Sequence, residues 1–316
     1  MSKITVALIS GGVSSEREVS LAGGEQIYQA LDHQKYDVLQ YDPRADLAKI
    51  VQDAPRIDTA LVILHGANGE DGTIQGFLDL LNIPYQCSGV LGSALAANKL
   101  ASKRVYETAG LPVPPYVALS QHDPDLKGKL AQAVDTLGLP IVVKPVSGGS
   151  SIGMAIVADP VDLEAAVASA FAHDDTVLLE VCLKGVELTG GVLGNDSLTP
   201  LPVVEIIPGE QYAFFDYEAK YTPGATTEIC PARIDEQLSR QVQDYACRAH
   251  RELFCKGCSR TDMIAVGDRL YLLETNTIPG MVPTSLLPLA AKAAGISFPA
   301  LLDRLIELSL ESRGKG

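Results

Sequence analysis

The clearest chemistry in this sequence lies between positions 259 and 280, where acidic, amide and guanidinium side chains recur at every second residue. Two strand-like runs, 260–266 and 270–276, flank a Gly-Asp-Arg segment. Such runs around a short glycine-containing turn are typical of a β-hairpin. Because side chains alternate between the two faces of a strand, the polar residues of each run share one face.

A three-residue turn in this hairpin places Asp262 directly opposite Glu274. The same register places Arg260 opposite Asn276, so that the four side chains form one cluster. The rest of that face is predicted to be apolar and to consist of Ile264, Val266, Leu270 and Leu272. Buried carboxylates need a cation between them, and Mg²⁺ prefers oxygen ligands while leaving positions for substrate phosphates. The alternative is a surface hairpin with its charges in water.

The bulk composition is that of a globular protein with two or three domains. The chain has 316 residues, of which 47% are hydrophobic and 20% charged. Its net charge of −14 argues against nucleic acid or an anionic membrane as a partner, because both require a basic surface. With no run of about 18 apolar residues and no signal-peptide pattern, the protein is expected to be cytoplasmic.

The six cysteines do not predict a disulfide framework in so long a chain. Cys255 and Cys258 have the spacing of a redox or zinc site, but no second pair completes such a site. Buried free thiols are the better prediction.

The N-terminal part has the pattern of a nucleotide-fold unit, with a continuous apolar strand at 3–10, a Gly/Ser turn and then a helix whose first turn contains Glu16. A helical segment is also predicted over 25–31. Ligands collect at the carboxyl ends of such strands. Glu16 would point into this crevice, although a carboxylate at a helix N-terminus could equally complement the helix dipole. The turn lacks GxGxxG, so a dinucleotide is not indicated.

A second candidate loop, 65–72, follows the buried strand 59–64 and is rich in glycine and acid. It begins with His65, and a simple connecting loop is the alternative. A single helix is then predicted over 92–109, and the Pro-rich segment 111–115 marks a domain boundary.

A third loop at 146–153 contains successive glycines and serines and directly follows Lys144. Free backbone N–H groups beside a lysine are typical of an anion cradle, although a flexible linker has a similar composition. Backbone groups of the strand edge at 175–187 could bind the edge of an adenine base, or the segment could be a plain amphipathic strand. The polar-aromatic run 214–221 is typical of a loop over a site, and the tail helix at 295–310 is expected to pack on the last domain.

Six motifs together resemble the D-alanine–D-alanine ligases of the ATP-grasp superfamily, in order along essentially the whole chain: GGVSSEREVS, HGANGEDG, IPYQCSGVLGSALAANK, PIVVKPVSGGSSIGM, DYEAKY and ETNTIPGMVPTSL. The resemblance implies a mixed α/β and α+β fold. A nucleotide-fold-like (pre-ATP-grasp) domain would span 1–98, and the small and large ATP-grasp lobes 99–187 and 188–316.

The resemblance also implies a role for individual residues around ATP. The ligands of two Mg²⁺ ions, for which Mn²⁺ could substitute, would be Asp262, Glu274 and Asn276. The phosphates would be bound by Lys99, Lys144 and Ser151. The adenosine site would comprise Glu180, Val181, Leu183 and Glu187.

For the amino acids, Glu16 would bind the ammonium group of the first D-alanine, with Ser150 and Tyr221 completing a hydrogen-bonded link. Arg260 and the backbone N–H of Gly280 would be the oxyanion donors. The remaining substrate contacts would come from His65, from Lys220 on a closing loop, and from Ser285 and Leu286 in the pocket for the second carboxylate.

The implied activity is ATP-dependent joining of two D-alanines through an acyl phosphate, for peptidoglycan synthesis, by an enzyme expected to be a homodimer. Asn98, Gly190-Gly191 and Val282 depart from the common pattern, and Val282 leaves strict D-alanine preference open. The alternatives are an ATP-grasp ligase with another second substrate and a non-catalytic nucleotide-binding protein. A nicotinamide dehydrogenase is disfavoured because its fingerprint glycines are missing.

Overall fold

The computed structural model describes residues 3–149, 152–209 and 226–311, which form three β-sheets with helices packed on them. The first sheet is parallel, in the order β2-β1-β3, and β3 is buried along its whole length, as expected for a parallel strand covered on both faces. Its elements are β1 (Ile4–Ser10), α1 (Arg17–Ala30), β2 (Tyr36–Tyr41), α2 (Pro43–Asp53), β3 (Thr59–Ile63), α3 (Thr73–Leu80) and α4 (Val90–Ala97). Beside β3, Tyr85 forms a single parallel bridge to Ala60.

Helix α1 begins at Arg17 and ends at Ala30, which confirms the helix predicted after the Gly/Ser turn and includes most of the predicted segment 25–31. Gly23 and Gly24 lower the helical propensity of its middle. In the fold these glycines permit close packing, since a Cβ added at Gly24 would lie 2.4 Å from the Ser10 hydroxyl oxygen. Glu16 lies at the N-cap of α1, as predicted, near the first sheet.

The single helix predicted over 92–109 is two helices, α4 and α5 (Lys99–Thr108). Asn98 breaks it because its backbone is extended, and its side chain accepts a hydrogen bond of 2.9 Å from the Ala101 N–H. Asparagine is a favoured N-cap residue. Lys99 therefore starts α5, and its backbone N–H donates to the Val146 carbonyl at 2.9 Å.

The second sheet is antiparallel, in the order β4-β7-β5-β6, with two helices packed on it. Its elements are β4 (Tyr116–Ser120), α6 (Leu126–Leu137), β5 (Ile141–Pro145), β6 (Ala155–Val157), α7 (Leu163–Phe171) and β7 (Thr176–Val181). Asp125 caps α6 by accepting a hydrogen bond from the Gly128 N–H. Lys144 lies near the end of β5, as the sequence predicts.

The third sheet has the order β11-β10-β8-β12-β13, with β9 paired to β8. Its elements are β8 (Val186–Leu193), β9 (Thr199–Pro200), β10 (Val204–Pro208), β11 (Thr226–Ile229), α8 (Glu236–Glu252), β12 (Cys258–Val266) and β13 (Arg269–Asn276). Helix α8 and part of α5 cover one face of this sheet. The other face is the one that presents the cluster predicted on the hairpin.

The hairpin pairs Asp262 with Glu274 and Arg260 with Asn276, which confirms the predicted register. The predicted three-residue turn is wrong, because Gly267, with φ +59°, and Asp268 alone form the turn. A bulge between the Asp262 and Met263 pairs restores the register.

The bulge also changes which side chains share a face. Leu270 and Leu272 were predicted beside the carboxylates, but they belong to the hydrophobic core under α8. Met263 joins them there. An extra residue between Leu272 and Glu274 reverses the alternation along β13, so the leucines and the carboxylate lie on opposite faces.

The C-terminal helices α9 (Leu286–Ala293) and α10 (Phe298–Glu311) pack on the last domain, as predicted, and on the first sheet as well. Helix α10 contacts β3 and α1 of the first sheet, as well as α9. Its apolar residues form one core with those of β1 and α1. The apolar face of this helix was evident in the sequence, but its second partner was not. Helix α10 therefore connects the first sheet to the third.

None of the helices in the described ranges is long and apolar enough to cross a membrane alone. Helices α9 and α10 reach the necessary length and apolar content only when they are taken together, and a bend of 104° separates them.

Tyr106 joins α5 to the third sheet and is fully buried. Its hydroxyl donates to the Thr275 hydroxyl at 2.7 Å, which is 2.9 Å from that of Thr261. The residues that follow position 98 thus share a core with the third sheet, and the boundaries at 98/99 and 187/188 stay predictions.

We expect Tyr106→Phe to lower the free energy of unfolding by about 1–2 kcal/mol, because it removes a buried hydrogen bond without changing the packing volume. Urea unfolding followed by circular dichroism measures the change. Tyr85→Phe is the control, since it removes a bond to Asp79 at the surface and should change stability by less than about 0.5 kcal/mol. Equal losses in the two variants would contradict the role given to the buried bond.

Candidate active site

Two adjoining cavities open between the sheets, with volumes of about 140 and 680 Å³. Their shared wall consists of Lys99, Gly148, Gly149 and Glu274. Of the predicted site residues, the smaller cavity is lined by Lys99, Lys144, Glu187, Asp262 and Glu274. The larger is lined by Glu16, His65, Lys99, Arg260, Glu274, Asn276, Gly280, Ser285 and Leu286. Residues from all three sheets are thus brought to one place.

Asp262 is the most heavily engaged side chain of the predicted cluster. It accepts hydrogen bonds of 2.9 and 2.8 Å from the Arg260 guanidinium and of 3.1 Å from the Asn276 amide. The Thr189 hydroxyl donates a further one at 2.6 Å. Burial lowers the pKa of Arg260, but the Asp262 carboxylate raises it more, so it lies above its ordinary value. Arg260 therefore remains a cation in the site.

The predicted metal ligands form a set of oxygen donors on the hairpin. Within the described ranges, no three His, Cys, Asp or Glu side chains converge. Asp262 and Glu274 are paired across the two strands, and Asn276 adds an amide group beside Asp262. Two carboxylates and one amide are hard oxygen donors, and they border cavities that also contain lysines. This set fits Mg²⁺, which takes few protein ligands and completes its shell with water and phosphate.

Lys99 lies at the shared wall of the two cavities. Its ammonium nitrogen is 3.5 Å from a Glu274 oxygen and donates to the Gly148 carbonyl at 2.6 Å. It connects the hairpin of the third sheet to the Gly-rich loop of the second sheet. A cation in this position can neutralise a phosphate bound between the sheets.

Glu180, which was predicted in the adenosine site, does not line either cavity but contacts two lysines. One oxygen is 2.9 Å from the Lys144 nitrogen, and the other is 3.1 Å from that of Lys103. Burial raises the pKa of Glu180, but the two ammonium groups outweigh it, so the pKa lies below its usual value. Val181 and Leu183 are half-buried and do not line either cavity. The adenosine site therefore stays a prediction.

Glu16 is buried at the N-cap of α1, in the wall of the larger cavity. Two glycines approach its carboxylate: a Cβ added at Gly66 would lie 3.2 Å from Oε2, and one at Gly149 would lie 3.4 Å from it. The Glu16 carboxylate therefore lies where the loop after β3 meets the loop after β5. Gly149 directly precedes Ser150, with which Glu16 was predicted to be linked.

His65 and Glu70 face each other across the loop that follows β3. The Nδ1 atom of His65 is 3.9 Å from a Glu70 oxygen, and the other Glu70 oxygen accepts a hydrogen bond of 2.8 Å from the Gly66 N–H. Burial lowers the pKa of His65, but the Glu70 carboxylate raises it more, so the pKa lies above its usual value.

Gly280 and Ser285 approach closely at the far end of the larger cavity. A Cβ added at Gly280 would lie 2.9 Å from the Ser285 hydroxyl oxygen, so a larger residue here would displace that hydroxyl. Ser285 is the N-cap of α9, and Leu286 is its first residue. The free N–H groups of a helix N-terminus favour an anion such as a carboxylate.

Four predicted site residues lie outside the described residues: Ser150, Ser151, Lys220 and Tyr221. The predictions for these residues stay as stated.

Sequence analysis missed three residues of the site. Thr189 could have been found from sheet pairing, since it lies opposite Asp262 on β8. Lys103 is one helical turn after Lys99, a spacing that also occurs on any solvated helix face. Glu228 lines the larger cavity from β11, and burial raises its pKa although Arg260 lowers it. No motif in the sequence indicated Glu228.

We predict that Glu70→Gln lowers the pKa of His65, because the carboxylate that favours the imidazolium is removed while an oxygen remains for the Gly66 N–H. A proton NMR titration of the histidine ring measures it. Since the pKa of His65 is higher in the folded protein than in the unfolded chain, its pairing with Glu70 stabilises the fold. This stabilisation is fully present below about pH 6.5 and is lost as the pH rises through the folded-state pKa. Glu25→Gln, on the exposed side of α1, is the control and should leave the pKa of His65 unchanged. An unchanged pKa of His65 in Glu70→Gln would contradict the pairing of His65 with Glu70.

The sequence and structure were compared with known proteins. The family model "D-ala D-ala ligase C-terminus" matches residues 105–307, and "D-ala D-ala ligase N-terminus" matches residues 42–88. A D-alanine–D-alanine ligase of Syntrophobacter fumaroxidans is 59% identical over 309 residues, covering 98% of each chain.

Two crystal structures share the fold. The D-alanine–D-alanine ligase of Bacillus anthracis complexed with ATP has a TM-score of 0.86 at 34% identity, covering 99% of both chains. The VanG D-Ala:D-Ser ligase of Enterococcus faecalis has a TM-score of 0.83 at 30% identity, covering 98% of this chain and 100% of its own. The predicted ATP-grasp architecture is confirmed by these likenesses. With matches along nearly the whole length, this chain belongs to the D-alanine–D-alanine ligase family.

Proposed function

We propose that this protein joins two D-alanine molecules into D-alanyl-D-alanine at the expense of ATP, releasing ADP and phosphate, to supply peptidoglycan synthesis. The observation that carries the proposal is the shared wall of the two cavities, where Lys99 and Glu274 face both. A nucleotide in the smaller cavity and an amino acid in the larger one would meet at this wall. That is the arrangement needed to transfer a phosphoryl group to a carboxylate.

In the first step, a carboxylate oxygen of the first D-alanine attacks the terminal phosphorus of ATP, forming an acyl phosphate and releasing ADP. Phosphoryl transfer depends on positioning and charge neutralisation more than on covalent help. Lys99 and Lys144 supply positive charge along the smaller cavity. Mg²⁺, held by Asp262, Glu274 and Asn276, would neutralise the phosphate oxygens and hold them in place.

In the second step, the amine of the second D-alanine attacks the acyl carbon, loses a proton and displaces phosphate. Negative charge develops on the acyl oxygen, and Arg260 and the Gly280 N–H are the donors proposed to stabilise it. Glu16 would bind the ammonium of the first D-alanine. Ser285 and Leu286, at the start of α9, would bind the second carboxylate.

The finer expectations about assembly and location rest on the family resemblance. A homodimer located in the cytoplasm is the state we propose, with ATP, D-alanine and Mg²⁺ as the molecules bound. Light scattering of the purified chain gives the oligomeric state.

A second candidate function is ligation of D-alanine to a different second substrate. It is favoured by Val282, which lines the larger cavity, and by the structural likeness to a D-Ala:D-Ser ligase. Mass spectrometry of the product distinguishes the candidates when the enzyme is offered D-alanine together with D-serine or D-lactate.

We predict that the purified protein releases phosphate from Mg²⁺-ATP only when D-alanine is present, with D-alanyl-D-alanine as the product. L-alanine and a reaction without amino acid are the controls. If phosphate is released with D-alanine alone but D-alanyl-D-serine is formed when D-serine is added, the second candidate function is favoured. No release under any condition would contradict both ligase functions.

We predict that Asp262→Asn and Glu274→Gln each reduce turnover by at least about a hundredfold, as expected when a charged group that stabilises phosphoryl transfer is removed. Both should also weaken Mn²⁺ binding in the presence of ATP, measured by electron paramagnetic resonance. Asp268→Asn, in the exposed turn of the same hairpin, is the matched control and should change neither quantity. Tight Mn²⁺ binding in both site variants would contradict the metal assignment.

A further inference from the structure

Lys103 is a fully buried cation that does not line either cavity. Its ammonium nitrogen lies 3.1 Å from Glu180 Oε1 and 5.5 Å from the centre of the Tyr116 ring. Tyr116 and Glu180 are directly opposite each other on β4 and β7, so the ring and the carboxylate flank the lysine from one sheet. A charge buried this deeply persists only when it is paired.

Glu180 divides its charge between two lysines. Its second oxygen pairs with Lys144 at 2.9 Å, and Lys144 is the member that reaches the smaller cavity. Burial lowers the pKa of Lys103 to about 8, so Lys103 is still mostly protonated at neutral pH. The group of three therefore carries one net positive charge.

Removing Lys103 would change this charge balance. Glu180 and Lys144 would then form a one-to-one ion pair with no net charge. Drawing Lys144 toward an anion in the cavity would leave the Glu180 carboxylate buried without a cation, which is costly. With Lys103 in place, Glu180 keeps a partner whatever Lys144 binds.

We propose that Lys103 is a positioning residue for nucleotide binding, which holds Glu180 so that the charge of Lys144 is available to the phosphates of ATP. The proposal rests on the proposed function, since it takes the smaller cavity to be the phosphate site. Lys103 should therefore affect the affinity only of ligands that carry phosphates. A ligand that lacks phosphates does not need the charge of Lys144.

The place of Lys103 in the fold supports this role. Helix α5 is held at its start by the bond from the Lys99 N–H to Val146, and further along by the bond from Tyr106 to Thr275. Lys99 and Lys103 therefore extend from one anchored helix toward the second sheet. One serves the phosphate site directly and the other serves it through Glu180.

The test compares ATP and adenosine binding to the full chain by isothermal titration calorimetry. We expect Lys103→Met to raise the Kd for ATP about tenfold, the effect of losing one partly screened charge contact, and to leave that for adenosine unchanged. An equal increase in the Kd values for ATP and adenosine would indicate a general disruption of the structure and would overturn the proposal. Unchanged ATP binding would overturn it as well. Lys127→Met, on the exposed side of α6, is the control and should alter neither constant.

A second variant tests whether Lys103 acts through Glu180. In Lys103→Met/Glu180→Gln the buried carboxylate is removed as well, so Lys144 is free again. Because Glu180 is also predicted to contact adenosine, the quantity compared is the ratio of the Kd for ATP to that for adenosine, which should return to near the wild-type ratio. A double variant with the same ratio as Lys103→Met would overturn the proposal.

If Lys103→Met does not fold, Lys103→Gln decides, because its amide can still donate to Glu180 but carries no charge. It should weaken ATP binding selectively as well, and unchanged ATP binding would overturn the proposal. All of these measurements are of binding, so a wild-type protein that binds ATP but forms no dipeptide would contradict the proposed function without affecting this inference.

Discussion

The pairing of β12 with β13 is the constraint on which the site depends. It must place Asp262 opposite Glu274 on the face of the third sheet that borders the cavities. It must also place Leu270 and Leu272 on the opposite face, in the hydrophobic core. A regular hairpin cannot do both, because strict alternation would put leucines and carboxylate on the same face of β13. The bulge resolves this conflict. It lets one hairpin carry a charged cluster and contribute to a hydrophobic core.

Helix α5 extends the effect of that hairpin to the second sheet. It packs on β13 through Tyr106, and its lysines pair with carboxylates on two different sheets, Glu274 and Glu180. Cations thus lie at the junction of the sheets, in a protein whose net charge is −14. The local arrangement of charge, and not the overall balance, determines which anions can bind.

Local sequence rules failed where tertiary packing outweighed them. Two glycines in α1 predict a poor helix, but they are required where the helix approaches Ser10. Asn98 is tolerated within a helical pattern, but here it caps a new helix and reorients the chain. The apolar face of α10 was evident, whereas its packing on the first sheet depends on contacts between residues far apart in the chain.

By itself, the sequence determined the kinds of element and most of the chemistry: the strand-ending loops, the carboxylate pair on a hairpin, and the family resemblance that assigned roles to Glu16, Arg260 and Ser285. These follow from short-range patterns, in which residue type and spacing are sufficient. Only the tertiary structure decided that Glu180 faces two lysines and that Lys103 belongs to the site. Such pairings join residues separated by many positions, and a single lysine on a helix carries no sign of whether water or a buried carboxylate lies beside it.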